Sequence, residues 1–213
     1  MKAAKCTKYG EPSFLRIAEV AKPTPKKDQI LVKIHSSSVT SGDARIRRAD
    51  PWVIRLIFGF KRPRKSVLGV VVAGEIESIG SEVSKFKVGD KVFGTTGMSF
   101  GAHAEYQCIN ENGTLALIPE KMTYNEAAAI PFGASAALHF LRKGNVKAGQ
   151  KVLIYGASGA LGTIAIQLAK ELGAHVTAVC SDENGIMVKV LGADSVIDYK
   201  NEDFTENGVK YDA

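Results

Sequence analysis

The stretch "YGASGALG", Tyr155 to Gly162, narrows the possible folds more than any other. It follows the apolar run "KVLIY" and leads into "LGTIAIQLAKELG", where apolar residues recur with helical period. A strand "HVTAVCS" comes next, then "GIMVKVLGA" and "SVIDY", a second helix and a third strand. Short strands joined by amphipathic helices predict a doubly wound parallel sheet. In that setting the glycines have separate tasks. Gly156 lets the strand turn tightly, and Gly159 lets backbone N–H groups approach a pyrophosphate. Gly162 lets the helix pack closely on the strand. With Ser158, Ala160 and Leu161 they form a candidate dinucleotide-binding loop. A helix beginning at Leu161 aims its N-terminal dipole at the phosphates.

The end of the second strand selects the dinucleotide. An acidic residue there binds the adenosine ribose hydroxyls of NADH. This chain has Val179-Cys180-Ser181, neutral and small, with a serine hydroxyl to donate to a 2′-phosphate. That predicts NADPH in preference to NADH. Asp182 and Glu183 follow at once, and an inward turn of either would oppose it.

The first 120 or so residues read as strands. "QILVKIHSSSV" and "GVVVAGEIESIG" are rich in Val and Ile, "FKVGDKVFGTT" carries a Gly-Asp turn, and "AHAEYQCI" alternates. "WVIRLIFGF" is the one helical signal there. A small all-β barrel is the economical reading. The character changes at Thr123, where Thr123-x-x-Glu126 forms a capping-box pattern ahead of an Ala-rich helix broken at Pro131. We therefore expect two domains, residues 1–123 and 124–213.

The chain has 28 Lys+Arg against 22 Asp+Glu, a surplus of +6 that suits an anionic ligand but is ordinary for an enzyme. No apolar stretch reaches membrane-spanning length and the N-terminus lacks the core of a secretion signal, so a cytoplasmic protein is expected. The cysteines, Cys6, Cys108 and Cys180, are scattered and fit neither a disulfide framework nor a zinc cluster. A non-catalytic dinucleotide- or RNA-binding module is the rival reading, resting on Arg62, Arg64 and Lys65. Aromatic residues for base stacking do not interleave with that run, so neither nucleic acid nor membrane is expected as a partner.

The segments "SSVTSGDARIRR", "LGVVVAGEIESIGSEVSKFKVGDKVFG", "GAHAEY", "EAAAIPFGASAAL" and "VLIYGASGALGTIAIQLAKELGAHVTAV", in this order, resemble the medium-chain dehydrogenase/reductase superfamily. The likeness is to its zinc-independent, zeta-crystallin-like quinone oxidoreductase branch, and it runs the whole length. It implies an α/β protein with an N-terminal GroES-like β-barrel domain and a Rossmann doubly wound sheet. It also implies hydride transfer from NADPH to a small hydrophobic electrophile: a quinone, an enone or an activated carbonyl.

Zinc-dependent relatives have a Cys where Ser41 falls and Gly-His-Glu where "LGVVVAG" falls, so no zinc is expected. By the same resemblance the Val39–Asp43 turn lies beside the nicotinamide, with Thr40 or Ser41 as donor to the acceptor oxygen. Asp43 and Arg47 either brace that turn or form a surface ion pair. The family's helix threonine falls at Ala136; Ser135 replaces it or the contact is lost. At the 2′-phosphate, the branch's lysine is replaced by Asn184, while its tyrosine is kept as Tyr199. His103 either borders the cleft or is a barrel histidine. "DPWVIRLIFGFKRPRK" reads equally as a cover over an apolar pocket or as a helix ending in a solvated basic loop.

"VKYDA" reads as the start of a further strand, with "KVLIY" left at the sheet edge. The expectation is a truncated product or part of a longer enzyme, inactive alone and homodimeric when whole.

Overall fold

A computed structural model describes every residue from Met1 to Ala213, and the chain divides into two units between Pro131 and Phe132. In the first, period-two alternation produces strands. These are β1 (Lys2–Cys6), β2 (Leu15–Glu19), β3 (Gln29–Ser36), β4 (Val71–Ile79), β5 (Lys91–Thr95), β6 (Tyr106–Asn110) and β7 (Thr114–Leu117). Helices α1 (Ser41–Arg48) and α2 (Ile54–Phe58) lie between β3 and β4, and α3 (Tyr124–Ala129) follows β7. The long strands form an antiparallel sheet in the order β6-β3-β4-β5-β7, curled as a half-barrel. The β1-β2 ribbon is joined to the rest by the bridges Ala3 to Ala104 and Lys5 to Val67.

Both faces of β4 are buried, so it reads as a continuous Val/Ala run. Val72 and Ile76 point to one side with Ile30, Val32, Val92 and Ile109. Val71 and Ala73 point to the other, where Ala127 and Ala128 of α3 cover them. This packing keeps α3 with the first unit, so the division falls at Pro131 rather than at Thr123, where the composition changes. The capping box forms as its spacing requires: Glu126 N–H donates to Thr123 Oγ1, and the Thr123 N–H and hydroxyl donate to Glu126.

The second unit begins with α4 (Pro131–Lys143) and continues through β8 (Lys151–Tyr155), α5 (Ala160–Glu171), β9 (His175–Cys180), α6 (Gly185–Val190) and β10 (Ser195–Asp198). The strands run parallel in the order β10-β9-β8. Small residues let α5 approach the sheet: Ala165, Ile166 and Ala169 pack with Val152, Ile154, Val176 and Ala178. β8 is last in the order, yet its outer edge is partly occupied. Leu153 N–H donates to Ala213 O at 2.9 Å and Asp212 N–H to Lys151 O at 2.8 Å. The fully unpaired edge expected for "KVLIY" is therefore corrected, because "VKYDA" folds back along it.

Candidate functional site

The loop between β8 and α5 is dictated by its glycines. Gly156 has φ +72°, a left-handed conformation disfavoured for side-chain-bearing residues. Gly162 has no room for a side chain, since an added Cβ would lie 2.4 Å from Gly156 O and 2.6 Å from Ala157 Cα. Gly159 is different: its φ is −79°, and its nearest neighbour would be 3.4 Å away. The backbone therefore requires Gly156 and packing requires Gly162, whereas neither requires Gly159, which is exposed. Gly159 is the N-cap of α5, with no side-chain cap, and the helix starts one residue earlier than expected, at Ala160. The N–H groups of Ala160, Leu161 and Gly162 head a helix of 12 residues and have no partner in its ladder. Ser158 is half-buried beside them, while Ala160 and Leu161 are exposed. A helix start of this kind can cradle an anion, and the residues fit a pyrophosphate.

At the end of β9 the structure brings Cys180, Ser181, Asn184 and Tyr199 close together. Cys180 is buried, and burial, together with the fields of Asp198 and Asp182, pushes its thiol upward, so it stays neutral. Asn184 Nδ2 donates to Ser181 Oγ at 2.9 Å, leaving the serine hydroxyl hydrogen free. Asp182 and Glu183 are exposed on a short 3₁₀ turn. The parallel register sets Asp198 opposite Cys180, and Tyr199 N–H reaches Cys180 O at 3.4 Å. Tyr199 thus emerges beside Ser181, half exposed. Lys200 follows, and its Nζ lies 3.8 Å from Glu183 Oε1. This cation was missed in the sequence, because it reaches the Asn184 side of the sheet from a different strand.

Ser135 is not gathered into this group. Gly133, Ala137 and Leu141 form the buried stripe of α4, and an added Cβ at Gly133 would lie 2.4 Å from Ala160 O. Ser135 stands off that stripe, exposed, beside Leu138, His139, Arg142 and Lys143. Of the two expectations for this position, a stand-in for the family threonine or a lost contact, the exposed Ser135 hydroxyl is compatible with either.

In the first unit the Thr40–Asp43 turn is a capping box on α1. The Thr40 N–H and hydroxyl each donate to Asp43 Oδ2 at 2.8 Å, and Asp43 N–H returns to Thr40 Oγ1 at 3.3 Å. The Thr40 hydroxyl hydrogen is engaged by Asp43. Ser41, the first residue of the helix, is exposed. Gly69 N–H donates to Asp43 Oδ1 at 2.9 Å, and His103 Nε2 lies 3.7 Å from the same oxygen. Burial alone would raise the Asp43 carboxyl, but His103 and the Thr40 donors outweigh it and hold it at about 2.

Asp43 and Arg47 are both buried and do not pair with each other. Arg47 Nη1 donates to Gly10 O, and Gly10 N–H to Arg47 O, so each braces a different segment rather than forming a surface ion pair. Ser37 Oγ donates to Val71 O at 2.8 Å and lies 3.3 Å from His103 Nδ1. Gly69, within the segment that replaces Gly-His-Glu, has φ +89°, and a Cβ there would strike the His103 ring at 2.6 Å. The Asp43–His103–Gly69 cluster escaped sequence reading because its members are 26 residues or more apart.

One apolar space adjoins this cluster and a second lies under α2. An open recess of about 660 Å³ is bordered by Leu15, Ile17, Ile34, Val39, Asp43 and His103. A smaller cavity of about 230 Å³ lies beneath α2, lined by Ile46, Ile57, Phe58, Leu68, Met98 and Phe100. The insertion thus combines both readings, a helix packed against Phe100 over a small apolar space and a basic loop exposed beyond it. No group of three His, Cys, Asp or Glu residues is arranged to hold a metal ion, and no helix is long and apolar enough to cross a membrane.

Comparison with known proteins agrees with this layout. Residues 26–120 match the family described as alcohol dehydrogenase GroES-like domain, and residues 160–210 the family described as zinc-binding dehydrogenase. A chloroplastic quinone-oxidoreductase homolog of Spinacia oleracea is 39% identical over 95% of this chain and 63% of its own length. A chloroplast envelope quinone oxidoreductase homolog of Arabidopsis thaliana is 36% identical over 100% of this chain and 67% of its own. The Escherichia coli quinone oxidoreductase, solved in complex with NADPH, superposes with a TM-score of 0.81 at 26% identity. That match covers 95% of this chain and 60% of the solved one. The chain thus spans about three-fifths of the spinach relative.

Proposed function

The chain belongs to the quinone oxidoreductase branch of the medium-chain dehydrogenase/reductase superfamily, and on that basis we propose that its protein reduces a quinone, enone or activated carbonyl with NADPH, without zinc. The observation that carries the proposal is the open side of Gly159. A glycine that packing does not require, at the head of a 12-residue helix, marks a surface that a pyrophosphate approaches. Gly156, Ser158, Gly159, Ala160, Leu161 and Gly162 hold the pyrophosphate through backbone N–H groups. Ser181, Asn184 and Tyr199 take the adenosine 2′-phosphate, with Lys200 supplying the cation that Asn184 lacks. The bound nucleotide supplies the hydride.

With no Lewis acid, the acceptor must itself be electrophilic, and the protein stabilises the charge gained by its oxygen. Ser41 is the donor in this reading, because its hydroxyl is exposed while that of Thr40 is engaged. Asp43 positions the turn. In this reading Met1–Pro131 form the substrate side and Phe132–Ala213 the nucleotide side. The test is NADPH and NADH oxidation by the full gene product with a benzoquinone and an enone, with and without a chelator. NADPH preference and indifference to the chelator are expected. NADH preference, chelator-sensitive activity, or no turnover despite nucleotide binding would overturn the proposal.

A further inference from the structure

The insertion Pro51–Lys65 is fixed on its inner side and unpartnered on its outer side. Phe58 packs edge-on against Phe100 with ring centroids 5.6 Å apart. Tyr9 Oη donates to Gly59 O at 2.7 Å, and Arg64 N–H to Phe58 O at 2.7 Å. Arg55 is drawn inward over the Tyr9 ring at 4.9 Å. So anchored, the segment turns Trp52, Val53, Leu56, Ile57 and Phe60 to solvent, with exposures of 47 to 64%. Met98, at 66%, is exposed as well, and Lys65 Nζ reaches its carbonyl at 3.4 Å.

Large apolar side chains gathered on one short segment and left outside the core mark a binding surface. Beside them stand Lys61, Arg62 and Arg64, exposed and in no ion pair. No Asp or Glu occurs between Asp50 and Glu75.

We propose that this face docks on an anionic lipid bilayer, Trp52, Leu56, Ile57 and Phe60 entering the headgroup boundary and Lys61, Arg62 and Arg64 meeting lipid phosphates and carboxylates. The charge sign selects the partner. An aliphatic-rich face rimmed by unpaired cations matches a surface that is apolar within and negative outside. RNA would satisfy the cations but leave Val53, Leu56 and Ile57 in water, since base stacking uses aromatic rings. The sequence expectation of no membrane partner rested on the lack of a spanning segment, which a surface-lying segment does not need.

Trp52 is the chain's single tryptophan and serves as a native probe. The full gene product is mixed with phosphatidylcholine vesicles, with and without phosphatidylserine, and followed by co-sedimentation and Trp52 emission. A Trp52→Phe variant isolates the Trp52 signal. The expected result is salt-sensitive binding to phosphatidylserine vesicles, a blue-shifted Trp52, and quenching by brominated acyl chains. Replacing Lys61, Arg62 and Arg64 with Gln should weaken partition roughly a hundredfold. Leu56→Ser with Phe60→Ser, exposed positions that leave the core intact, should weaken it about tenfold or more. Equal partition to both vesicle types, an unshifted Trp52, or indifference to the Leu56 and Phe60 changes would overturn the proposal. So would tighter binding to single-stranded RNA than to vesicles at the same salt.

Discussion

Gly159→Ala and Gly162→Ala make a paired test of what the glycine loop is for. At Gly162 the added methyl meets backbone at 2.4, 2.6 and 2.7 Å. Relief to an ordinary contact near 3.4 Å needs a displacement of about 1 Å in the Gly156–Ala157 turn. Overpacking of this kind costs about 1–3 kcal/mol, offset by about 1 kcal/mol of helix propensity gained over glycine. The net expectation is a loss of up to about 2 kcal/mol, read as a lower urea midpoint. The displaced turn also carries the pyrophosphate donors, so NADPH binding should fall with it.

At Gly159 the methyl meets only Gly156 O at 3.4 Å, and its φ of −79° suits alanine. Stability should change by less than about 1 kcal/mol, the cost of a poorer N-cap. The methyl does occupy the space where a phosphate would approach, so NADPH affinity should fall about tenfold or more by fluorescence titration. A Gly159→Ala protein that binds NADPH like the parent would refute the cradle. A Gly162→Ala protein of unchanged midpoint would refute the packing argument.

Lys200→Gln should raise the KM for NADPH about tenfold and leave that for NADH unchanged, because only the former carries the 2′-phosphate; equal shifts would remove Lys200 from the site. Ser41→Ala should lower kcat about tenfold to a hundredfold with little change in KM, measured in full-length enzyme with an enone. Thr40→Ala should instead cost about 1 kcal/mol of stability through its cap, seen in urea unfolding. Asp43 is ionised in the folded state down to a pKa of about 2, against an ordinary 3.8. Its contribution, about 2 kcal/mol, is therefore full above pH 4 and lost as the pH falls toward 2. Asp43→Asn should flatten that part of the stability–pH curve, and an unchanged slope would refute the assignment.

The sequence reveals structure most clearly where one residue type alone satisfies the backbone. Gly156, with its positive φ, and Gly162, with no room for a Cβ, are legible for that reason, and so is the Thr123–Glu126 box. Helix α1 was not foreseen, since "SGDARIRR" offers Ile46 and no apolar stripe. It is held instead by buried polar groups, Asp43 to Gly69 N–H and Arg47 to Gly10 O, which no hydrophobic period can show. Lys200 was missed for a related reason. Its place beside Glu183 depends on the register that pairs Asp198 with Cys180, information held in two strands rather than one.

The carboxylate of Asp43 ties together three stretches of chain: its own turn, the Gly69 strand entry, and the His103 segment that rests on Gly69. A residue so tethered behaves as a fixed post, and Ser41, two positions before it, inherits that immobility. Under the proposed function, the turn has no slack with which to follow a substrate, and discrimination among acceptors falls to the surrounding walls. Selection or engineering for new substrates should therefore alter the apolar positions that share the recess with the post, such as Leu15, Ile17 and Val39, and leave the post itself alone.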